Sequence, residues 1–354
     1  MINMKNCMHI GFGMTAGLLA LAVASLSGCR KEALTYSGQA LVLSANILPE
    51  TRTFIDGTSL VEASTGDHLP IFATGTFYGQ SGAASELLAE QKFEYSTSDG
   101  VYHASPSPVY WPLGGYTDIL AYAGPASSAP ASNPTVTWPG TYGADKVSFA
   151  FTDTKAADID LVWASANDQH NLSTPVPLVF SHAMARLELD VRVVDLADGR
   201  LQLKSMVLES GATDRLQLAG TFSVDNTRNV PVATWSGLST TSDYGFFTGQ
   251  QVTFSSTGAT SLVGQLDGTA RVAHSGADFV PFVRMFAPAQ PSKNLVITYS
   301  LDGGADITKT VNLALVDWEM GHSYLYQVEF MGDIRLEVSI QAWQTGNTLN
   351  MELQ

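Results

Sequence analysis

Apolar and polar side chains alternate along most of this chain, and the period is two wherever it is regular. Leu41, Leu43, Ala45 and Ile47 alternate with Val42, Ser44 and Asn46, which predicts a strand over 39–47 with one strongly apolar face. Leu187, Leu189, Val191 and Val193 alternate with Glu188, Asp190 and Arg192 in the same way. Leu295, Ile297, Tyr299 and Leu301 lead into the turn signal Asp302-Gly303-Gly304. Val311, Leu313 and Leu315 resume the alternation beyond it, so the two runs read as a β-hairpin. Tyr324, Tyr326, Val328 and Phe330 form a further strand, which Met331-Gly332-Asp333 turns into Ile334, Leu336, Val338 and Ile340. A last short alternation is carried by Leu349, Met351 and Leu353.

Helical periodicity is scarce. The stretch ASELLAEQKFEY at 84–95 fits about two turns with Ser85 as cap, and its apolar face is narrow. Many strands at short spacing, separated by turn clusters, predict an all-β chain built from sandwiches rather than βαβ units. Loops are expected at Ser96–Gly100, Gly124–Pro134 and Asn167–Thr174. Alternation becomes long and regular only after Pro177, whereas Trp111 to Trp163 reads as one aromatic-rich unit. A boundary therefore falls within 165–177, giving an N-terminal domain over 29–172 and a C-terminal domain over 173–354.

Residues 1–28 follow another pattern. Lys5 precedes an uncharged run from Gly11 to Ser25, and Leu26-Ser27-Gly28-Cys29 closes it with small side chains before a thiol. A positive start, an apolar middle and a small-residue site make a secretory signal. The run is too short and too rich in glycine for a permanent membrane span. Leu26 to Cys29 resemble the lipobox of bacterial lipoproteins, which implies that 1–28 is a lipoprotein signal peptide and that Cys29 is acylated as the first mature residue. Cys7 then leaves with the signal, and disulfides and cysteine-bound metal are excluded together. Hydrophobic burial must hold the fold of the 326 mature residues by itself.

Composition fits an exported β-protein. Charged residues make up 14% of the chain, against about 25% in an average soluble protein, and Ser, Thr, Gly and Asn take the polar positions. The net charge is −15, and the mature chain, with 17 basic and 33 acidic side chains, carries −16. That balance excludes nucleic acid as a partner and disfavours anionic surfaces. The histidines, at 9, 68, 103, 170, 182, 274 and 322, are dispersed without metal-ligand spacing. No phosphate-binding loop and no G-x-S-x-G elbow is present. Asp153, Asp158 and Asp160 lie close enough for a calcium loop, but three acids in a polar stretch are the ordinary composition of a solvated turn. No catalytic residue, cofactor or metal is expected, and no carboxylate pair is favoured for glycoside hydrolysis.

The most distinctive features are aromatic and glycine phrases. TRTFIDG stands at 51–57, GDHLPIFA at 66–73, VYWPLGGYTDILAYAGP at 109–125 and DLVWA at 160–164. VPLVFSHAMARLELDV follows at 176–191, WEMGHSYLYQVEF at 318–330 and VSIQAW at 338–343. Within them, Trp111-Pro112 ends a strand and Gly114-Gly115 turns the chain into the next. Trp111, Tyr116 and Tyr122 read as core or edge aromatics, and His182 as a core histidine. In this order, behind a lipobox, the phrases resemble the fimbrillin family, the lipoprotein-derived subunits of type V pili.

The resemblance implies two tandem transthyretin-like β-sandwich domains and a surface-exposed lipoprotein of the cell outer membrane, held through the lipid on Cys29. It implies that a trypsin-like processing protease cuts near the first strand, that this strand leaves, and that the vacated groove takes a strand from another pilus subunit, in a homo- or hetero-polymer. Arg52 is the only basic residue between Lys31 and Lys92, so cleavage is expected between Arg52 and Thr53. Leu349, Met351 and Leu353 are the candidate donor strand. A host or bacterial surface receptor is a further implied partner, and shaft, anchor and tip roles all occur in such pili. The alternative is a surface glycan-binding lipoprotein, which would display Trp111, Tyr116, Trp138 and Trp235 as exposed platforms. An enzyme ranks behind both.

Overall fold

Every regular element among the described residues is a β-strand, as the period-two patterning dictates. The computed structural model describes residues 34–352 apart from 48–59, 61–66, 83, 124–134, 138–145, 152–160, 173, 194–199, 210–216, 227–230, 242–243, 248–251, 254–281, 287, 289–293, 314–316, 331–333 and 343–344. Strands are numbered in chain order.

Seven strands close into a barrel. They are β2 (Val42–Ile47), β3 (Ile71–Gly79), β4 (Ala84–Ser96), β5 (Val101–Ser105), β7 (Gly115–Ala123), β10 (Val162–Gln169) and β11 (Val176–His182). The order around the barrel is β10-β11-β2-β5-β4-β3-β7, and closure removes the free edges that an open sheet would expose. Alternate side chains fill the interior, among them Leu41, Leu43, Ile71, Ala73, Ile119, Ala121, Val162, Leu178 and Phe180, all buried. A short ribbon of β1 (Tyr36–Ala40) and β6 (Tyr110–Pro112) sits beside it.

A four-stranded sheet, β15-β14-β9-β8, packs on the outside of β7 and β10. Its members are β8 (Thr135–Thr137), β9 (Lys146–Phe151), β14 (Gln217–Asp225) and β15 (Val232–Thr241). Leu120, Tyr122 and Trp163 point outward from the barrel and meet Phe149, Phe222, Val224 and Trp235 in a second core. This explains why burial in β7 is continuous from Thr117 to Ala121 rather than alternating: both faces of the strand are covered.

Two more sheets complete the fold. One, in the order β18-β12-β21-β22-β23, contains β12 (Ala185–Val193), β18 (Phe282–Phe286), β21 (His322–Phe330), β22 (Ile334–Ala342) and β23 (Thr345–Glu352). The other, in the order β16-β13-β19-β20, contains β13 (Leu201–Glu209), β16 (Tyr244–Phe247), β19 (Asn294–Leu301) and β20 (Ile307–Asn312), with β17 (Val252–Thr253) also paired to β13. Tyr299 of β19 meets Phe330 of β21 edge-on, with ring centroids 5.1 Å apart. Burial makes each tyrosine hydroxyl here need a partner. Tyr324 donates to the Asp317 carbonyl at 2.8 Å, and Tyr326 accepts from Trp318 Nε1 at 3.0 Å. Burial pushes the Tyr324 hydroxyl up to about 12 and that of Tyr326 higher still, so both remain donors at any physiological pH.

Hairpins follow both expected turns: β19 pairs with β20 and β21 with β22, both antiparallel, although β20 runs earlier than expected, over Ile307–Asn312, so that it contains Val311 but not Leu313, and Leu315 is outside the described residues. In the first, Arg200 grips the turn through paired bonds to Asp302, Nε to Oδ1 and Nη2 to Oδ2, each 2.6 Å.

Residues 84–95 are not helical. They lie in β4, paired on one side with β3 and on the other with β5. Glu90 adopts φ 50°, and the register against β3 shifts nearby, so Leu88 and Phe93 both point inward although five residues separate them. That bulge breaks the period of two and imitates a narrow helical face. The loop expected at 167–174 is also shorter, because β10 continues to Gln169. Pairing crosses residue 172 in both directions: β11 belongs to the barrel, and β9 is bonded to β14.

Gly115 opens β7 where no side chain fits. A Cβ there would meet the Tyr78 carbonyl oxygen at 2.1 Å and Phe77 Cζ at 2.6 Å. Gly115→Ala is therefore expected to push β7 away from β3 and lower stability by about 1–3 kcal/mol, read as a lower urea midpoint with an unchanged m-value. An unaltered midpoint would mean that the β3–β7 register yields without cost.

Candidate functional site

The strand that the sequence singles out near the N-terminus, β2, is inserted between two others. It runs parallel to β11, from Leu43↔Val176 to Ile47↔Phe180, and antiparallel to β5 through only two pairs, Val42↔His103 and Leu43↔Tyr102. The β3–β7 ladder, by comparison, has nine. Leu41 and Leu43 are 1% and 0% exposed, and Ala45 packs partly buried against the same core. Ser44 Oγ donates to the Val176 carbonyl at 3.4 Å, and the Leu41 amide donates to the Val109 carbonyl at 2.8 Å. Burying two leucines contributes roughly 1.5–3 kcal/mol each, so β2 is held mainly by its apolar face and by one ladder. Its removal would bare the edges of β5 and β11 over an apolar trough, a surface suited to an extended segment with alternating side chains.

The residue expected to be cut, Arg52, lies in the segment that follows β2. Arg52, Thr53 and Cys29 are outside the described residues, as are Asp153, Asp158 and Asp160. Leu349 and Met351 lie in β23, at the edge of its sheet, where they pair with Ile340 and Val338 of β22. Leu353 is outside the described residues.

The aromatic residues considered as platforms are mostly enclosed. Trp111 is 1% exposed. Trp235 is half-buried, donates Nε1 to the Ala183 carbonyl at 2.7 Å, and lies 5.6 Å from the Phe222 ring. Tyr116 stacks on Tyr78 at 5.0 Å and Tyr122 on Phe72 at 5.3 Å. His182 is buried. Trp138 is outside the described residues.

A cleft of about 500 Å³ opens beside β4, lined by Asp67, His68, Pro70, Lys92, Glu94, Tyr95 and Thr97. His68 stacks on Tyr95 at 3.5 Å, and Lys92 pairs with Glu94 at 2.6 Å. The Lys92 ammonium holds the Glu94 carboxyl below its usual range. These two charges neutralise each other. Among the described residues, no three His, Cys, Asp or Glu side chains gather as metal ligands.

Sequence reasoning missed the contacts that dock the four-stranded sheet on the barrel. Asn167 and Asn226 exchange side-chain hydrogen bonds at 3.0 and 2.7 Å across 59 residues. Tyr122 of β7 meets Phe149 of β9 edge-on, with ring centroids 5.0 Å apart. No local pattern announces either, since the partners lie far apart in the chain.

Comparison with known proteins gives the fold a context. The profile of a family described as fimbrillin-like matches residues 51–343. No curated protein matches the chain. A candidate cell adhesion protein from Bacteroides ovatus is similar in structure, with a TM-score of 0.53 and 18% identity, covering 88% of this chain and 100% of that one. A fimbrial protein from Bacteroides vulgatus is similar with a TM-score of 0.50 and 16% identity, covering 85% of this chain and 99% of that one. At these identities the likeness establishes a shared fold.

Proposed function

The chain belongs to the fimbrillin-like family, and from that premise we propose that it is a lipoprotein-derived subunit of a cell-surface pilus that assembles by exchanging β2 for a strand of a neighbouring subunit. A fimbrial or adhesive role at the cell surface accompanies the family. The finer steps are the proposal: export with a lipid on Cys29 to the outer membrane, cutting between Arg52 and Thr53 by a trypsin-like protease, loss of the segment carrying β2, and capture of a donor strand.

The observation that carries this reading is the seat of β2. It supplies Leu43 to the barrel core beside Leu41, which directly precedes it, yet meets β5 through only two residue pairs and precedes the segment containing Arg52. A cut there would sever the strand from the fold while every other barrel strand stayed connected. The natural donor is β23, bonded to β22 alone, whose Leu349, Met351 and Leu353 recur at the period a groove would read. The glycan-binding alternative is less well supported, because the described tryptophans are buried or packed against other rings.

Brief treatment of the purified lipid-free protein with trypsin tests the trigger. A new N-terminus at Thr53 is expected, followed by polymer, while Arg52→Ala resists both. Stable cleavage elsewhere, with Arg52 intact, would remove this residue from the mechanism.

A further inference from the structure

Six large apolar side chains stand exposed among the described residues, and four of them, Tyr36, Tyr110, Leu113 and Leu172, belong to one end of the barrel. A circuit of contacts places them there. Tyr36 pairs with Pro112 across the β1–β6 ribbon, and Leu113 follows Pro112 directly. Two residues on, the Gly115 carbonyl is bonded to His170 Nδ1 at 2.9 Å. Leu172 lies in the turn after His170 and is 90% exposed. Beyond that turn, Thr174 Oγ1 accepts a hydrogen bond from Gln39 Nε2 at 3.2 Å, which returns the circuit to β1. Val179 and Val232, the other two exposed residues, lie on β11 and β15.

Single exposed leucines are ordinary on a protein surface, but a gathering of them marks an interaction site. Two features say what covers this one. Cys29 precedes Tyr36 by seven residues, a length of chain that reaches at most about 25 Å however it runs. The rim therefore lies where the chain from the acylated residue enters the fold. Secondly, tyrosine is the side chain that settles at the boundary between headgroups and acyl chains, with its ring in the apolar layer and its hydroxyl in water.

We propose that this rim lies on the lipid surface that holds the acyl chains of Cys29, with Tyr36 and Tyr110 at headgroup level and Leu113 and Leu172 pointing into it. The inference rests on the reading that Cys29 is acylated. A lipid anchor is strengthened by a second contact with the membrane, of which a polybasic patch is one form. A mature chain of net charge −16 has no general attraction to anionic lipid, which leaves an apolar contact as the second anchor. Cutting at Arg52 would then undo both at once, because it severs the tether and takes Tyr36 away with β1.

Fluorophores placed at single introduced cysteines test this on the acylated protein, whose own Cys29 sulfur is blocked by lipid. Leu113→Cys and Leu172→Cys are compared with Val179→Cys and Val232→Cys, each reconstituted in phosphatidylcholine vesicles bearing a nitroxide at the headgroup. The proposal expects labels at 113 and 172 to be quenched several-fold more than those at 179 and 232. Equal quenching at all four positions overturns it. So does absent quenching at 113 and 172 while the protein still sediments with the vesicles, and protection of those two labels only as concentration rises would assign the rim to a second copy of the chain instead. Labelling cells with a fatty-acid analogue reports acylation separately. A chain without lipid removes the premise and the proposal together, whereas an acylated chain with an unquenched rim removes the proposal alone.

Discussion

Phe222→Ala is expected to lower the stability of the folded chain by about 3–5 kcal/mol, the range for truncating a buried phenylalanine in a core that cannot collapse. Phe222 is 0% exposed and sits where the four-stranded sheet meets the barrel. Its ring lies 5.9 Å from Phe149 and 5.6 Å from Trp235, so truncation removes a packing partner from two strands and leaves a void between sheets. Neither neighbour can move freely to fill it. Phe149 is itself fully enclosed, and Trp235 is tied to the Ala183 carbonyl through Nε1. Chemical denaturation with tryptophan fluorescence reads the effect directly. A loss below about 1 kcal/mol would be typical of a surface position and would contradict the packing described.

Deleting Thr345–Gln354 is expected to abolish polymerisation while leaving a folded monomer that trypsin still trims. Among the described residues β23 is an edge strand, bonded to β22 only, and its loss leaves the other four strands of the sheet connected. In a vacated barrel groove, Leu349, Met351 and Leu353 would bury three large apolar side chains at roughly 1.5–3 kcal/mol each before ordering costs, and main-chain bonds to β5 and β11 would add to that. Size-exclusion chromatography after trimming separates polymer from monomer, and the melting temperature of the untrimmed chain reports the strand's part in its own sheet. Intact polymerisation, or a truncated monomer that no longer folds, would show that β23 is no donor.

The sequence revealed those strands in which apolar side chains recur at every second residue. β2, β12, β19, β21 and β22 stand where alternation places them, whereas β20 ends at Asn312 and leaves Leu313 of its expected alternation beyond the strand. It failed where that condition fails. β4 carries a bulge at Glu90 that brings Leu88 and Phe93 to one side and mimics a helix. β7 is covered on both faces, and its continuous apolar run does not disclose which neighbour covers which side. The pairing of β9 with β14 was illegible for another reason: its partners are 69 to 79 residues apart, and neither carries a signal of the other. At the candidate site, the apolar face of β2 was readable. Its parallel partner β11 and its slender seam with β5 were not, since register between distant strands is set by the closed barrel as a whole.

The central claim is that this chain is built into surface filaments, and immunoelectron microscopy tests it most directly. An antibody against the chain, applied to wild-type cells and to a strain lacking it, should decorate filaments along their length or at one end in the wild type. The deletion strain should lose the filaments or their labelled part. Label confined to the cell envelope, with filaments of unchanged number and length in the deletion strain, would contradict the account.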